Sequence, residues 1–339
     1  MKVLVGVHEE FSAHDPGPWH PERAERLAAV LSGIASAHLD GALVEFEPRW
    51  ATSAELELVH GARYVEALRA HCDSGGGRLD ADTVAGPASF GAALRAAGAG
   101  PDAVDRLRRG EADAAFLAVR PPGHHALAGR AMGFCLFNNV AVTAASIAGA
   151  GERVLILDWD AHHGNGTQEI FYGRGDVTYI SLHQYPFYPG TGSVRESGSG
   201  AGAGATVNVP LPAGTTGDAY RLAFDEVVVP VAEAFAPDWL LVSAGFDAHR
   251  ADPLTDLGLS SGDFADLTAA VVPLVAPGRV VAFLEGGYDL DALGASAAAC
   301  VGALAGETVR PEPSSRGEIG GGARAAVAEA ARRHAARGD

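Results

Sequence analysis

Hydrophobic and polar positions along this chain follow two alternating rhythms. Short apolar, β-branched runs recur at Lys2–Val7, Ala115–Val119, Arg153–Leu157, Val177–Leu182, Trp239–Ser243 and Arg279–Leu284. Between them lie Ala-rich stretches with helical character, at Pro21–Ala37, Ser53–His71, Ala88–Ala97, Asn138–Gly149, Ala219–Phe235 and Ser261–Ala276. This alternation predicts an α/β fold, a mostly parallel sheet covered by helices on both faces. Pro21 near a helix start and Gly100-Pro101 after a helix end supply the expected punctuation. There is no internal repeat, and the Gly-, Ala- and Ser-rich stretch Ser197–Ala205 reads as an exposed loop.

At 339 residues the chain fits one large α/β domain as well as two smaller ones. We read one domain over residues 1–306. After Gly306 the chain turns Pro-, Ser- and Gly-rich, then Ala/Arg-rich from about Gly322. Residues 307–339 therefore read as a linker and a helical surface appendage. The hydrophobic fraction of 47% suits a sizeable core. No apolar run reaches the roughly 18 residues a membrane span needs. The first residues, KVLVGV, read as a strand with no signal-peptide layout, so the expectation is a soluble, cytoplasmic protein with no membrane partner.

Charge and cysteine content narrow the chemistry. A formal charge of −17 argues against a nucleic-acid partner, which needs a basic surface. It favours a cationic substrate at a pocket mouth, although solubility alone accounts for it as well. Cys72, Cys135 and Cys300 form no CxxC pair, so neither a cysteine metal site nor a disulfide framework is indicated.

The polar residues that carry chemistry collect just after four of the strands. In open parallel sheets, ligands bind beyond the carboxyl ends of the strands. Ala115–Val119 runs into Arg120-Pro121-Pro122-Gly123-His124-His125, and Arg153–Leu157 into Asp158-Trp159-Asp160-Ala161-His162-His163-Gly164-Asn165. Trp239–Ser243 leads to Gly245-Phe246-Asp247, and Arg279–Leu284 to Glu285-Gly286-Gly287-Tyr288. If the second strand stays extended, Asp158, Asp160 and His162 share a side. Carboxylate with imidazole suits zinc or ferrous iron, two of the three binding metal while the third supports another group. Asp247 is the natural third ligand, although a turn former would also suit that position. His124 and His125 follow a rigid Pro-Pro-Gly frame, and each needs a partner to fix its tautomer; Asp158 and Asn165 are the candidates. Tyr288, after two glycines, is either a core aromatic or a phenol donor aimed at a developing oxyanion.

Eight strings in order resemble the histone deacetylase family of the arginase–deacetylase fold. They are HDPGPWHPERAERL (14–27), DTVAGPASFGAALRAAGA (82–99), RPPGHHA (120–126), GFCLFNN (133–139), LDWDAHHGNGTQ (157–168), SLHQYPFYPGTG (181–192), SAGFDAH (243–249) and EGGYD (285–289). The pattern is closer to bacterial, class II-like members than to class I. The resemblance implies an eight-stranded parallel sheet and hydrolysis of an acylated amine, with zinc, or iron in the cell, on Asp160, His162 and Asp247. It implies His124 paired with Asp158, His125 as general base and then acid, and Tyr288 polarising the scissile carbonyl. Gly133, Phe134 and Tyr188 would line a narrow tunnel, with His20, Pro21 and Asp82 at its rim. A structural potassium ion would sit on Asp158, Asp160, His162, Ser181 and Leu182.

Three departures from the family pattern bear on this. Asn165 stands where many class I members have Asp, so His125 should be less basic. Tyr188 replaces the commoner Phe. Leu254 stands where polyamine-selective relatives carry a glutamate, which favours acyl-lysine of a protein or small molecule over an acetylated polyamine. Two other readings stay open: an arginase-like site with two manganese ions, which needs more carboxylates than surround Asp247, and a non-catalytic binding protein with this fold. A homo-oligomer is compatible with all of them.

Overall fold

The computed structural model describes residues 1–39 and 41–335. Eight strands form its main sheet: β1 (Val3–Gly6), β2 (Leu43–Phe46), β3 (Ala114–Leu117), β4 (Val154–Asp158), β5 (Val177–Gln184), β6 (Thr206–Leu211), β7 (Trp239–Ala244) and β8 (Val280–Leu284). Their order is β2-β1-β3-β8-β7-β4-β5-β6. Every neighbouring pair is parallel. Strands β3, β4, β7 and β8 are buried at every residue, as a sheet covered on both faces requires. This is the single-domain architecture of the arginase–deacetylase fold.

The two strands of the main sheet that were not predicted are its edges. β2 is short and partly exposed, and β6 carries Asn208 and Pro210 within TVNVPL. Proline cannot donate to a ladder, so it is tolerated on an edge strand and hides that strand from a pattern search. Helix Gly321–Ala335 lies against this edge and buries Ala323, Val327 and Ala330.

Several helix boundaries also differ. The helix expected to end at Ala97 runs on as Ser89–Arg108, through Pro101. Gly98 and Gly100 are packing positions there, since a Cβ on either would stand 2.3 Å from Arg49 O or 1.9 Å from Thr143 Oγ1. The stretch 53–71 is two helices, Ser53–Leu56 and Ala62–Asp73, divided by Gly61 in an extended conformation. Pro21 precedes its helix, which starts at Glu25. Helix Leu290–Ala305 is apolar almost all round and was not anticipated. Its Asp289 side chain caps it by accepting from Ala292 N (2.9 Å). No helix among the described residues is long and apolar enough to cross a membrane.

Candidate metal centre and tunnel

The four strands predicted to carry chemistry, β3, β8, β7 and β4, are the four central neighbours of the sheet. Register aligns their carboxyl ends: Leu284 pairs with Ala244, and Asp158 with both Ser243 and Ser181. Residues distant in sequence therefore emerge at one edge.

The segment after β4 is not an extended strand, which corrects the expectation of a shared side. Regular pairing stops at Asp158. Asp160 N then donates to Asp158 Oδ1 (3.1 Å) and His162 N to Asp160 Oδ1 (2.9 Å), so carboxylates curl the chain. Asp158 is thereby turned to His124, while Asp160 and His162 meet Asp247. Ligand atoms of these last three lie within 4.8 Å of one another. His162 Nδ1 is 3.2 Å from Asp160 Oδ1 and 2.9 Å from Asp247 Oδ2. The second oxygen of each carboxylate is tied down: Gly286 N donates to Asp160 Oδ2 (2.7 Å) and Ala161 N to Asp247 Oδ1 (2.8 Å). A Cβ on Gly286 would stand 2.2 Å from Asp247 Oδ2, so only glycine lets the Tyr288 turn approach this closely.

Two buried carboxylates facing one imidazole fit a divalent cation. Burial and the charge of Asp160 push Asp247 up to about 7. Burial opposes the His162 imidazolium, yet the two carboxylates raise it to about 10. Without a metal the two carboxylates are tolerated only by protons held on His162 and Asp247, and a divalent cation bound in their place would neutralise both carboxylates.

Beside this cluster sit the tandem histidines, with ring centroids 4.0 Å apart. His124 Nδ1–H donates to Asp158 Oδ2 (3.0 Å), which also accepts from Tyr179 Oη (3.0 Å). Burial opposes its charge, but Asp158, Asp160 and Glu285 raise it well above the usual histidine range. His125 is pushed well below that range by burial and by the positive charge of its neighbours. Its Nδ1–H donates to Asn165 Oδ1 (2.8 Å), leaving Nε2 as the basic nitrogen. Both tautomer partners named from the sequence are therefore in place.

A narrow cavity of about 90 Å³ opens onto these groups, lined by Asp82, His125, Gly133, Phe134, His162, Tyr188, Leu254 and Tyr288. Gly133 (φ 56°) and Phe134 (φ 67°) are both left-handed. That conformation strains Phe134 by about 1–3 kcal/mol, a cost typical of residues held for function. The ring of His20 meets Phe134 edge-on at 4.6 Å, and its Nε2–H donates to Asp82 O (2.9 Å). Pro21 does not line the cavity. Phe134 also meets Tyr288 edge-on at 5.8 Å. Burial holds the Tyr288 phenol well above its usual range, so it remains a donor.

Sequence reasoning missed the residues that brace this site. Glu285 is fully buried, pushed up to about 7 by burial, and accepts from Gly123 N (2.7 Å), His124 N (3.1 Å) and Ser243 Oγ (3.2 Å). Asp252 accepts from Tyr288 N (2.7 Å) and Leu254 N (2.9 Å). Arg26 donates to Gly287 O (2.6 Å) and Glu285 O (2.5 Å), with its guanidinium over the Tyr288 ring. Glu22 joins Arg26 (3.0 Å) to Arg120 (2.7 Å), all of them inaccessible to solvent. The fragments HPER and EGG stand in the sequence, but a charged residue there reads as surface until burial is known.

The Glu22 cluster gives a stability prediction. Burial opposes the carboxylate, but Arg120 and His14 hold it well below 4.5. A depressed folded value means its contribution is complete above the unfolded value and is lost as pH falls towards the folded one. Glu22→Gln is expected to cost about 3–5 kcal/mol at neutral pH, because two buried guanidinium groups lose their counter-charge. Its urea-unfolding free energy should also fall less steeply than wild type as pH drops below 4.5. Equal slopes would remove Glu22 from the acid response.

A parallel eight-stranded sheet with two carboxylates and an imidazole converging at its carboxyl edge defines a metal-dependent amidohydrolase of the arginase–deacetylase class. The histone deacetylase domain profile matches residues 20–304. A probable deacetylase of Archaeoglobus fulgidus is 41% identical over 297 residues, 86% of this chain and 82% of that protein. Histone deacetylase 15 of Arabidopsis thaliana is 42% identical over 90% of this chain and 56% of its own length. The crystal structure of the HDA15 HD domain superposes with a TM-score of 0.91 at 38% identity, covering 99% of this chain and 95% of that one. The chain belongs to the histone deacetylase family.

Proposed function

We propose that this protein is a zinc-dependent deacylase that cleaves the amide of an acyl-lysine-like substrate. The observation that carries this reading is the convergence of Asp160, His162 and Asp247 at the foot of a cavity that also presents His125 and Tyr288. A cavity of about 90 Å³ suits a slender aliphatic stem, since pockets for drug-sized ligands run to roughly 300–1,000 Å³. Zinc, when bound by these three residues, supplies Lewis-acid polarisation of the acyl carbonyl and a more acidic water. His125, neutral and oriented by Asn165, accepts a proton from the attacking water at Nε2 and passes it to the leaving amine. The water oxygen first adds to the acyl carbon, pushing charge onto the carbonyl oxygen, and the C–N bond then breaks as the amine nitrogen takes the proton from His125. Tyr288 donates to the developing oxyanion, and His124 contributes positive charge from below. We infer in addition that potassium occupies Asp158, Asp160, His162, Ser181 and Leu182, a reading supported by the Asp158–Ser181 register.

Leu254 on the cavity wall favours acyl-lysine over an acetylated polyamine, whose distal ammonium would meet no carboxylate from that position. The test is kcat/KM of metal-loaded protein on acetyl-lysine peptide, longer acyl-lysine peptides, free acetyl-lysine, acetylspermidine and acetylputrescine, each with and without a hydroxamate chelator. Hydroxamate-sensitive turnover led by the peptides is the expected result. A preference for acetylspermidine would overturn the substrate assignment. No turnover by protein holding one metal per chain would favour a binding role.

A further inference from the structure

We propose that Glu312, in the segment that follows the main domain, is a positioning residue for Tyr288, acting through the loop that joins β7 to helix Ser261–Val271. The inference rests on the role proposed above for Tyr288.

The segment is stitched to the fold at several points. Ser260 Oγ donates to Pro313 O (2.8 Å), Ser315 N to Asp263 Oδ2 (3.0 Å), Gly217 N to Ser315 Oγ (2.8 Å) and Gly317 N to Asp218 Oδ2 (2.6 Å). A Cβ on Gly262 would stand 2.5 Å from Glu312 O, so the segment lies directly on the start of that helix.

Within it, the Glu312 carboxylate reaches inward. It accepts from Ser261 N (3.0 Å), Ser261 Oγ (3.2 Å), the Arg250 guanidinium and His249 Nε2 (2.7 Å). His249 is almost completely buried. Its Nδ1 accepts from Ala251 N (3.1 Å), so Nε2 carries the proton and a carboxylate is its fitting partner. Three residues on, Asp252 donates its N–H to His249 O (2.9 Å) and receives Tyr288 N and Leu254 N on its carboxylate. One chain of bonds thus runs from Glu312 through His249 and Asp252 to the Tyr288 backbone. The same loop carries Leu254 to the cavity wall.

The test compares Glu312→Ala and Glu312→Gln in the full chain by amide hydrogen exchange and steady-state kinetics. Removing the acceptor frees the loop, so exchange in peptides covering 245–259 and 285–290 is expected to speed up about tenfold in Glu312→Ala. Its kcat should fall by a similar factor, with KM within about twofold and metal content unchanged. Glu312→Gln keeps an acceptor oxygen and should restore most of both. Arg310→Ala cuts a different attachment, to Asp266, and should leave Tyr288 exchange as in wild type. If Glu312→Ala does not fold, Glu312→Asp, one methylene short of His249, should show the same acceleration. Unchanged exchange at 285–290, equal acceleration by Arg310→Ala, or a kcat loss that tracks metal loss would each overturn the proposal. Exchange needs no substrate, so it decides the structural link even if wild type turns over none of the acyl-amines.

Discussion

Tyr288→Phe is expected to lower kcat about 10²–10³-fold while KM stays within about threefold, the signature of a donor felt mainly in the transition state. The substitution removes one oxygen and keeps the ring. Phe134 edge-on, Arg26 above the ring and Asp252 on the backbone N–H should therefore hold the phenyl where the phenol was. Burial keeps the wild-type hydroxyl protonated, so no ionised form complicates the comparison. Steady-state kinetics on the preferred acyl-lysine substrate, beside a metal assay, is the measurement. A near-normal kcat would remove Tyr288 from the reaction and leave the oxyanion without a protein donor.

Asp247→Ala is expected to abolish metal retention and, with it, turnover. Losing an outer partner of a metal site already costs roughly 10–100-fold in affinity, and Asp247 is assigned as one of only three ligands. Wild type should keep about one zinc per chain through dialysis against a weak chelator, and the variant almost none. The fold should survive, because the lost carboxylate carries an unfavourable charge in the metal-free site. Circular dichroism and metal analysis together check this. Full zinc occupancy in the variant would show that Asp247 is not a ligand.

Much of this site was legible because its residues sit immediately after recognisable strands. The runs at Ala115–Val119, Arg153–Leu157, Trp239–Ser243 and Arg279–Leu284 are apolar enough to announce buried strands, and β3, β4, β7 and β8 lie there. The need of each imidazole for a partner named Asp158 and Asn165 as candidates, while the pairing of His124 with Asp158 came from the family resemblance. The curl of Asp158–His162 did not follow, because carboxylates accepting backbone N–H groups overrode the alternation of a strand. The edge strands and the passage of a helix through Pro101 were hidden for a related reason, since neighbouring elements compensated for residues that are unfavourable in isolation.

By itself, the sequence determined which chemical groups are available and at which strand ends they emerge, since hydrophobic runs and turn residues are local properties. Only the tertiary structure decided which groups support them. Arg26, Glu22, Asp252, Glu285 and Glu312 are ordinary charges in a string of letters. Packing the parallel sheet brings segments as far apart as Arg26 and Gly287 within 2.6 Å. Burial then makes Arg26, Glu22, Asp252 and Glu285 require partners, and the partners they find are the loops that hold the site.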